Sequence, residues 1–122
     1  MQSNTLSFKT KIARKLWWLP IGSVPKITCN ELKKILKKRP KRTQMLDVRT
    51  TQEFSQGHID NAVNIPLQIL RSRIHNLPFK KDSQIIVICF MGTRSAPAVR
   101  LLIAFGYPNV VELAGGMSSY NK

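Results

Sequence analysis

Residues 85–88 read Ile-Ile-Val-Ile and lead straight into Cys89-Phe90-Met91-Gly92-Thr93-Arg94, then into a helical pattern at 95–105. No other succession in the chain constrains the fold as tightly. A β-branched apolar run without polar alternation offers no face to water, so it predicts a strand covered on both sides. The helix that follows carries Pro97 in its tolerated first turn and Gly106 just past its end. A buried strand passing at once into a helix is the repeating unit of a parallel sheet. In such sheets ligands bind in loops beyond the carboxyl ends of the strands. The loop 89–94 is therefore the candidate site.

The rest of the chain supports the same reading. Strand-like pieces at 44–48, 62–65 and 110–113 alternate with helix-like pieces at 51–56, closed by Gly57, at 67–74 and at 117–120. Upstream, Thr28 and Glu31 form a capping box before Leu32, Ile35 and Leu36, with lysines on the remaining face and Pro40 as the stop. This alternation predicts an α/β fold with a mainly parallel sheet. The 122 residues suit one such domain, and a 43% hydrophobic fraction is ordinary for a globular protein.

Charge divides the chain unevenly. Of the net +14, residues 1–44 carry +11, with twelve Lys/Arg against Glu31 alone, and residues 45–122 carry +3. The basic excess thus lies in the N-terminal third and not in the part that carries the candidate site; by its pattern the chain divides into an arm (1–24) and a domain (25–122). In the arm, Phe8, Ile12, Leu16 and Leu19 recur at helical spacing, with Lys9, Lys11, Arg14 and Lys15 mainly off the stripe. Trp17 and Trp18 close it before Pro20. Two readings stand: a helix lying on an anionic membrane surface, or an arm packing on its own domain or another copy. No run approaches the roughly 20 apolar residues needed to cross a bilayer. The short, proline-broken stretch at 16–22 does not read as a secretory signal. The acid-free first thirty residues are compatible in composition with a mitochondrial presequence ending before residue 25. A cytoplasmic protein is the expectation, with peripheral contact to an anionic membrane as one of the two readings of the arm, and a nucleic-acid partner is not expected.

Only two cysteines occur, Cys29 and Cys89, far apart and without metal-ligand spacing, so neither a disulfide nor a metal or other cofactor is expected. Cys29 reads as a first-turn residue of a helix. Cys89 differs, because its sulfur would lie near the positive end of the helix at 95–105, where free amides and the dipole favour an anion and depress a thiol pKa. Gly92 permits the bent backbone of an anion nest, and Arg94 adds a permanent charge with fork-like donors. The substrate-binding set is therefore Phe90, Met91, Gly92, Thr93, Arg94 and Ser95 around the nucleophile Cys89. Asp47 and Arg49 read as an ion pair bracing the loop, Arg49 and Glu53 as a pair across one turn, and His58 as a packing or hydrogen-bonding residue.

These pieces resemble the rhodanese family over roughly residues 25–120. The resemblance rests on MLDVRTTQEFSQGHIDNAVNIPL (45–67), IIVICFMGTRSAPAVRLLIAFGY (85–107) and VVELAGGMSSY (110–120). They are similar to the family's Asp-x-Arg segment, Gly-His-Ile step, Cys-x-x-Gly-x-Arg-Ser loop and Gly-Gly ending. Tyr120 stands where the family often has Trp. The resemblance implies a five-stranded, mainly parallel sheet with helices on both faces. It also implies a sulfurtransferase that carries sulfur as a persulfide on Cys89, from thiosulfate or a persulfide donor to a thiol or cyanide acceptor, small or protein-borne. Phe90 and Met91 stand where family members specialised for thiosulfate often carry basic side chains. A cysteine phosphatase or arsenate reductase is the rival enzyme, but the phosphatase cradle needs five residues between nucleophile and arginine, and here four intervene. A non-catalytic interaction module on the same fold is the alternative from a different class.

Overall fold

The computed structural model describes residues 6–19, 23–92 and 94–122. Strand β4 (Ile85–Ile88) is buried at all four positions. Ile85 and Val87 join a core with Leu46, Val48, Leu101 and Leu102. Ile86 and Ile88 join a second core with Ile27, Leu32, Met45 and Leu113. The period of two that places successive side chains on opposite faces thus divides one apolar run between two cores. β4 lies at the centre of the order β1-β5-β4-β2-β3, with β1 Lys26–Ile27, β2 Gln44–Asp47, β3 Val63–Asn64 and β5 Val110–Leu113. Every described pairing is parallel, which tightens the expectation of a mainly parallel sheet.

Helices close both faces. On the first, α5 (Ser95–Ala104) buries Ala98, Val99, Leu101 and Leu102, and α4 (Leu67–Leu70) buries Leu70. On the second, α2 (Cys29–Lys38) buries Leu32, and α6 (Gly116–Tyr120) buries Met117. The capping box of α2 forms as its sequence requires, with Glu31 N–H donating to Thr28 Oγ1 and Thr28 N–H to Glu31 Oε1 at 3.1 and 2.9 Å. The short α3 (Thr51–Ser55) has the same box from Thr50 and Glu53.

Three elements differ from the sequence reading. The expected helix at 67–74 is one α turn followed by a 3-10 turn over Arg71–Arg73. β3 is two residues rather than four. β1 has no counterpart in the pattern, because two residues are too few to show a period. Its partner defines it, through the register Lys26 with Glu112 and Ile27 with Leu113.

The arm forms helix α1 (Phe8–Leu16), capped by Ser7, and ends earlier than the stripe implied, leaving Leu19 half-buried beyond it. The docking side is not the apolar stripe. Arg14 donates to the Ala104 carbonyl at 2.9 Å and its guanidinium lies 4.1 Å from the Phe105 ring centroid. Half-buried Trp17 packs against the core, and Arg100 of α5 donates to the carbonyls of Trp17 and Leu19.

Candidate active site

Cys89 follows β4 directly and continues its alternation, so its side chain belongs to the core on the α5 face and is fully buried. The loop then folds back. Gly92 adopts φ +90°, a left-handed backbone that side-chain-bearing residues rarely take, and its amide donates to Cys89 Sγ at 2.8 Å. The next element, α5, starts at Ser95 without a side-chain cap. The positive end of its dipole adjoins the sulfur through Ser95, whose Oγ lies 3.5 Å from Sγ.

Two further groups fix the loop. The amides of Met117 and Ser118, in the first turn of α6, donate to the carbonyls of Cys89 and Phe90, both at 2.8 Å. This approach requires glycine at 116, where φ is +57° and a Cβ would stand 2.3 Å from the Cys89 carbonyl oxygen. The Gly115-Gly116 pair therefore clamps the loop as well as turning the chain. From another side, Arg94 makes a two-pronged bond to Glu53, both contacts at 2.8 Å. The Arg94 fork is the main cause that holds the Glu53 carboxyl down at about 2, against an ordinary 4.5. The same carboxylate raises the Arg94 pKa.

This pairing alters two expectations. The Glu53 carboxylate bridges to Arg94, while Arg49 reaches Glu53 at its main-chain carbonyl, at 3.5 Å, and the Arg94 guanidinium is committed to Glu53 rather than lying on the sulfur. Arg49 instead grips the fully buried Asp47, with Nε and its second terminal nitrogen within 3.1 Å of the carboxylate, and donates to the Gly57 carbonyl at 2.8 Å. A charge so deep in the sheet is tolerated because every oxygen is paired. His58 stacks on Phe54 at 3.6 Å between centroids and donates from Nδ1 to the Phe54 carbonyl, away from the sulfur. Phe90 and Met91 are exposed at the rim of the loop. Thr93 lies outside the described residues.

One residue at the site escaped sequence reasoning. Glu112 of β5 is buried on the Cys89 face, accepts a 2.5 Å hydrogen bond from Ser95 Oγ and pairs with Lys26 at 3.1 Å. Its signal was available: a lone carboxylate inside Val-Val-Glu-Leu, at a position whose alternation points inward. Sulfur, hydroxyl and carboxylate thus form a chain leading away from the loop. Beside the site, an open cleft of about 560 Å³ runs between Phe90, Glu53, His58 and Tyr120. A larger hollow of about 830 Å³ lies at the amino ends of β2 and β4, lined by Arg39, Gln44 and Lys80, and neither cysteine is among the described residues that line it.

Chemically, a buried thiol receiving an amide donor beside an uncapped helix start has backbone donors ready for negative charge that develops on the sulfur. Comparison with known proteins finds sulfurtransferases and rhodanese-like domain proteins among those similar to this chain. The chain is 36% identical over 78 residues to the adenylyltransferase and sulfurtransferase uba4 of Ogataea parapolymorpha, covering 64% of this chain and 20% of that one. The chain thus spans about a fifth of the length of such fungal relatives. It is 36% identical over 72 residues to the thiosulfate sulfurtransferase PspE of Escherichia coli, covering 59% of this chain and 68% of that one. The crystal structure of a rhodanese-like domain protein from Staphylococcus aureus superposes with a TM-score of 0.71 at 34% identity, over 80% of this chain and 91% of that one. Residues 28–122 match the rhodanese-like domain as a whole, and the chain belongs to that family.

Proposed function

We propose that the protein is a sulfurtransferase that takes sulfane sulfur onto Cys89 as a persulfide and passes it to a thiol acceptor in the reducing cytoplasm. The observation that carries this reading is the Gly92 amide 2.8 Å from Sγ, in a loop held on three sides. Cys89 reacts as its thiolate, its proton released to solvent, with Ser95 Oγ held beside the sulfur by its bond to Glu112. The thiolate attacks the outer sulfur of the donor. The donor's sulfur–sulfur bond breaks, and its electron pair leaves with sulfite from thiosulfate or with a thiolate from a persulfide. An acceptor thiolate then attacks the outer sulfur on Cys89, and the persulfide bond returns its electron pair to Cys89. Backbone donors of the loop hold the negative charge throughout.

Exposed Phe90 and Met91 favour a donor or acceptor with an apolar surface, such as a thiol-borne or protein-borne persulfide, over thiosulfate. No basic side chain follows Cys89 until Arg94, which Glu53 already engages. The test is intact-mass analysis after incubation with thiosulfate, glutathione persulfide and cysteine persulfide. Wild type gains one sulfur atom, fastest from the organic persulfides, and Cys89→Ser gains none. A wild-type mass unchanged by every donor would leave the interaction-module reading in its place.

A further inference from the structure

The arm packs with one face and leaves the other bare. At about 100° per residue, Phe8, Ile12 and Leu16 fall within roughly 80° of one another on α1. Thr10, Arg14 and Trp17, the half-buried residues, fall on the opposite side. The structure confirms the division by exposure: Phe8, Ile12 and Leu16 are 76%, 39% and 44% exposed, and Trp18 just beyond the helix is 57% exposed. Among the described residues, five of the nine exposed large hydrophobic side chains belong to residues 6–18, so this is a patch and not scatter. Leu16 and Ile103 of α5 share an adjoining apolar groove, which extends the surface onto the domain.

We infer that this face is a docking surface for an anionic lipid bilayer. The lipid is chosen by charge. Lys9, Lys11 and Lys15 are exposed beside the stripe, and no acid occurs in the first thirty residues. Apolar side chains flanked by lysines, with an exposed tryptophan at one end, match a headgroup region, where burial and attraction to phosphate act together. A second copy of the chain would bring those lysines against their own kind. No helix among the described residues is long and apolar enough to cross a membrane, so the contact is peripheral. Because the arm docks near Ala104, at the end of α5 remote from Ser95, the loop at Cys89 stays open to solvent-borne partners.

The test uses the full chain with phosphatidylcholine vesicles, alone or containing phosphatidylglycerol, read by co-sedimentation and tryptophan emission. Binding to the anionic vesicles with a blue shift is expected, falling at least tenfold as salt rises past the physiological range, where screening acts over about 8 Å. Ile12→Glu should weaken it at least tenfold while sulfur loading of Cys89 stays at the wild-type level. That unchanged loading also separates failure of this inference from failure of the sulfurtransferase reading. Equal binding to both vesicle types, binding to neither, or concentration-dependent dimerisation abolished by Ile12→Glu would each overturn the lipid assignment.

Discussion

Cys29 and Cys89 both stand at the start of a helix, and their surroundings separate them. Cys29 is the first residue of α2, and its thiol donates toward the Ala114 carbonyl at 3.7 Å. Cys89 precedes α5, and there the backbone donates to the sulfur, through Gly92 at 2.8 Å. Each thiol has an acceptor near it, the Ala114 carbonyl for Cys29 and Ser95 Oγ for Cys89, and Cys89 receives in addition a backbone donor, which rewards developing charge. A helix start alone therefore does not make a nucleophile. In the proposed function the loop geometry does, and that geometry depends on groups outside the loop: the Gly116 clamp, the Glu112–Ser95 pair and the Glu53–Arg94 bridge.

Each of those supports can be removed to test the contrast. The largest effect should come from Gly116→Ala, which forces a side chain into the left-handed region and against the Cys89 carbonyl. A loss on the order of 3 kcal/mol in denaturant melts is expected, together with slower sulfur transfer. If instead melting and transfer were both unchanged, the clamp would not be what shapes the loop. Next comes Glu112→Gln, which keeps the shape but removes the charge that holds Ser95 Oγ beside the sulfur. Persulfide formation should slow by roughly tenfold or more with the fold intact, and the pH–rate profile should change shape. A rate and profile superimposable on wild type would show that the Glu112–Ser95 pair does not act on the sulfur.

The smallest effect concerns Glu53. Because its carboxyl is held at about 2, below an ordinary 4.5, the stability from its bond to Arg94 is fully present above the ordinary value. That stability is lost as pH falls from 4.5 toward 2. The bridge is about one-third exposed, so it contributes about 1 kcal/mol or less. Acid titration of thermal stability should show wild type losing that increment over this window and Glu53→Gln not losing it. Parallel curves for the two proteins would show that the bridge contributes nothing.

Where a local pattern decides the structure, the sequence disclosed it. The run 85–88 became β4 with the same ends, and the Thr28–Glu31 box became the start of α2. The alternation of elements became a parallel sheet covered on both faces. Legibility fell off where partners distant in sequence decide. Arg94 lies 41 residues from Glu53, so a pairing guessed from spacing assigned that carboxylate to Arg49, only four residues away. Glu112 meets Ser95 only because α5 covers the face of the sheet toward which Glu112 of β5 points. The arm shows the same limit: its stripe was plain in the sequence, but the face that docks is the other one, fixed by Arg14, Trp17 and Arg100.

The most direct test of the central claim maps sulfur between the two thiols of one protein. Wild-type protein is loaded with an organic persulfide, the sulfane sulfur is trapped by alkylation, and the peptides containing Cys29 and Cys89 are quantified by mass spectrometry. The account predicts the extra sulfur on the Cys89 peptide, with the Cys29 peptide at background. Equal loading of the two, or loading of Cys29 alone, would contradict it.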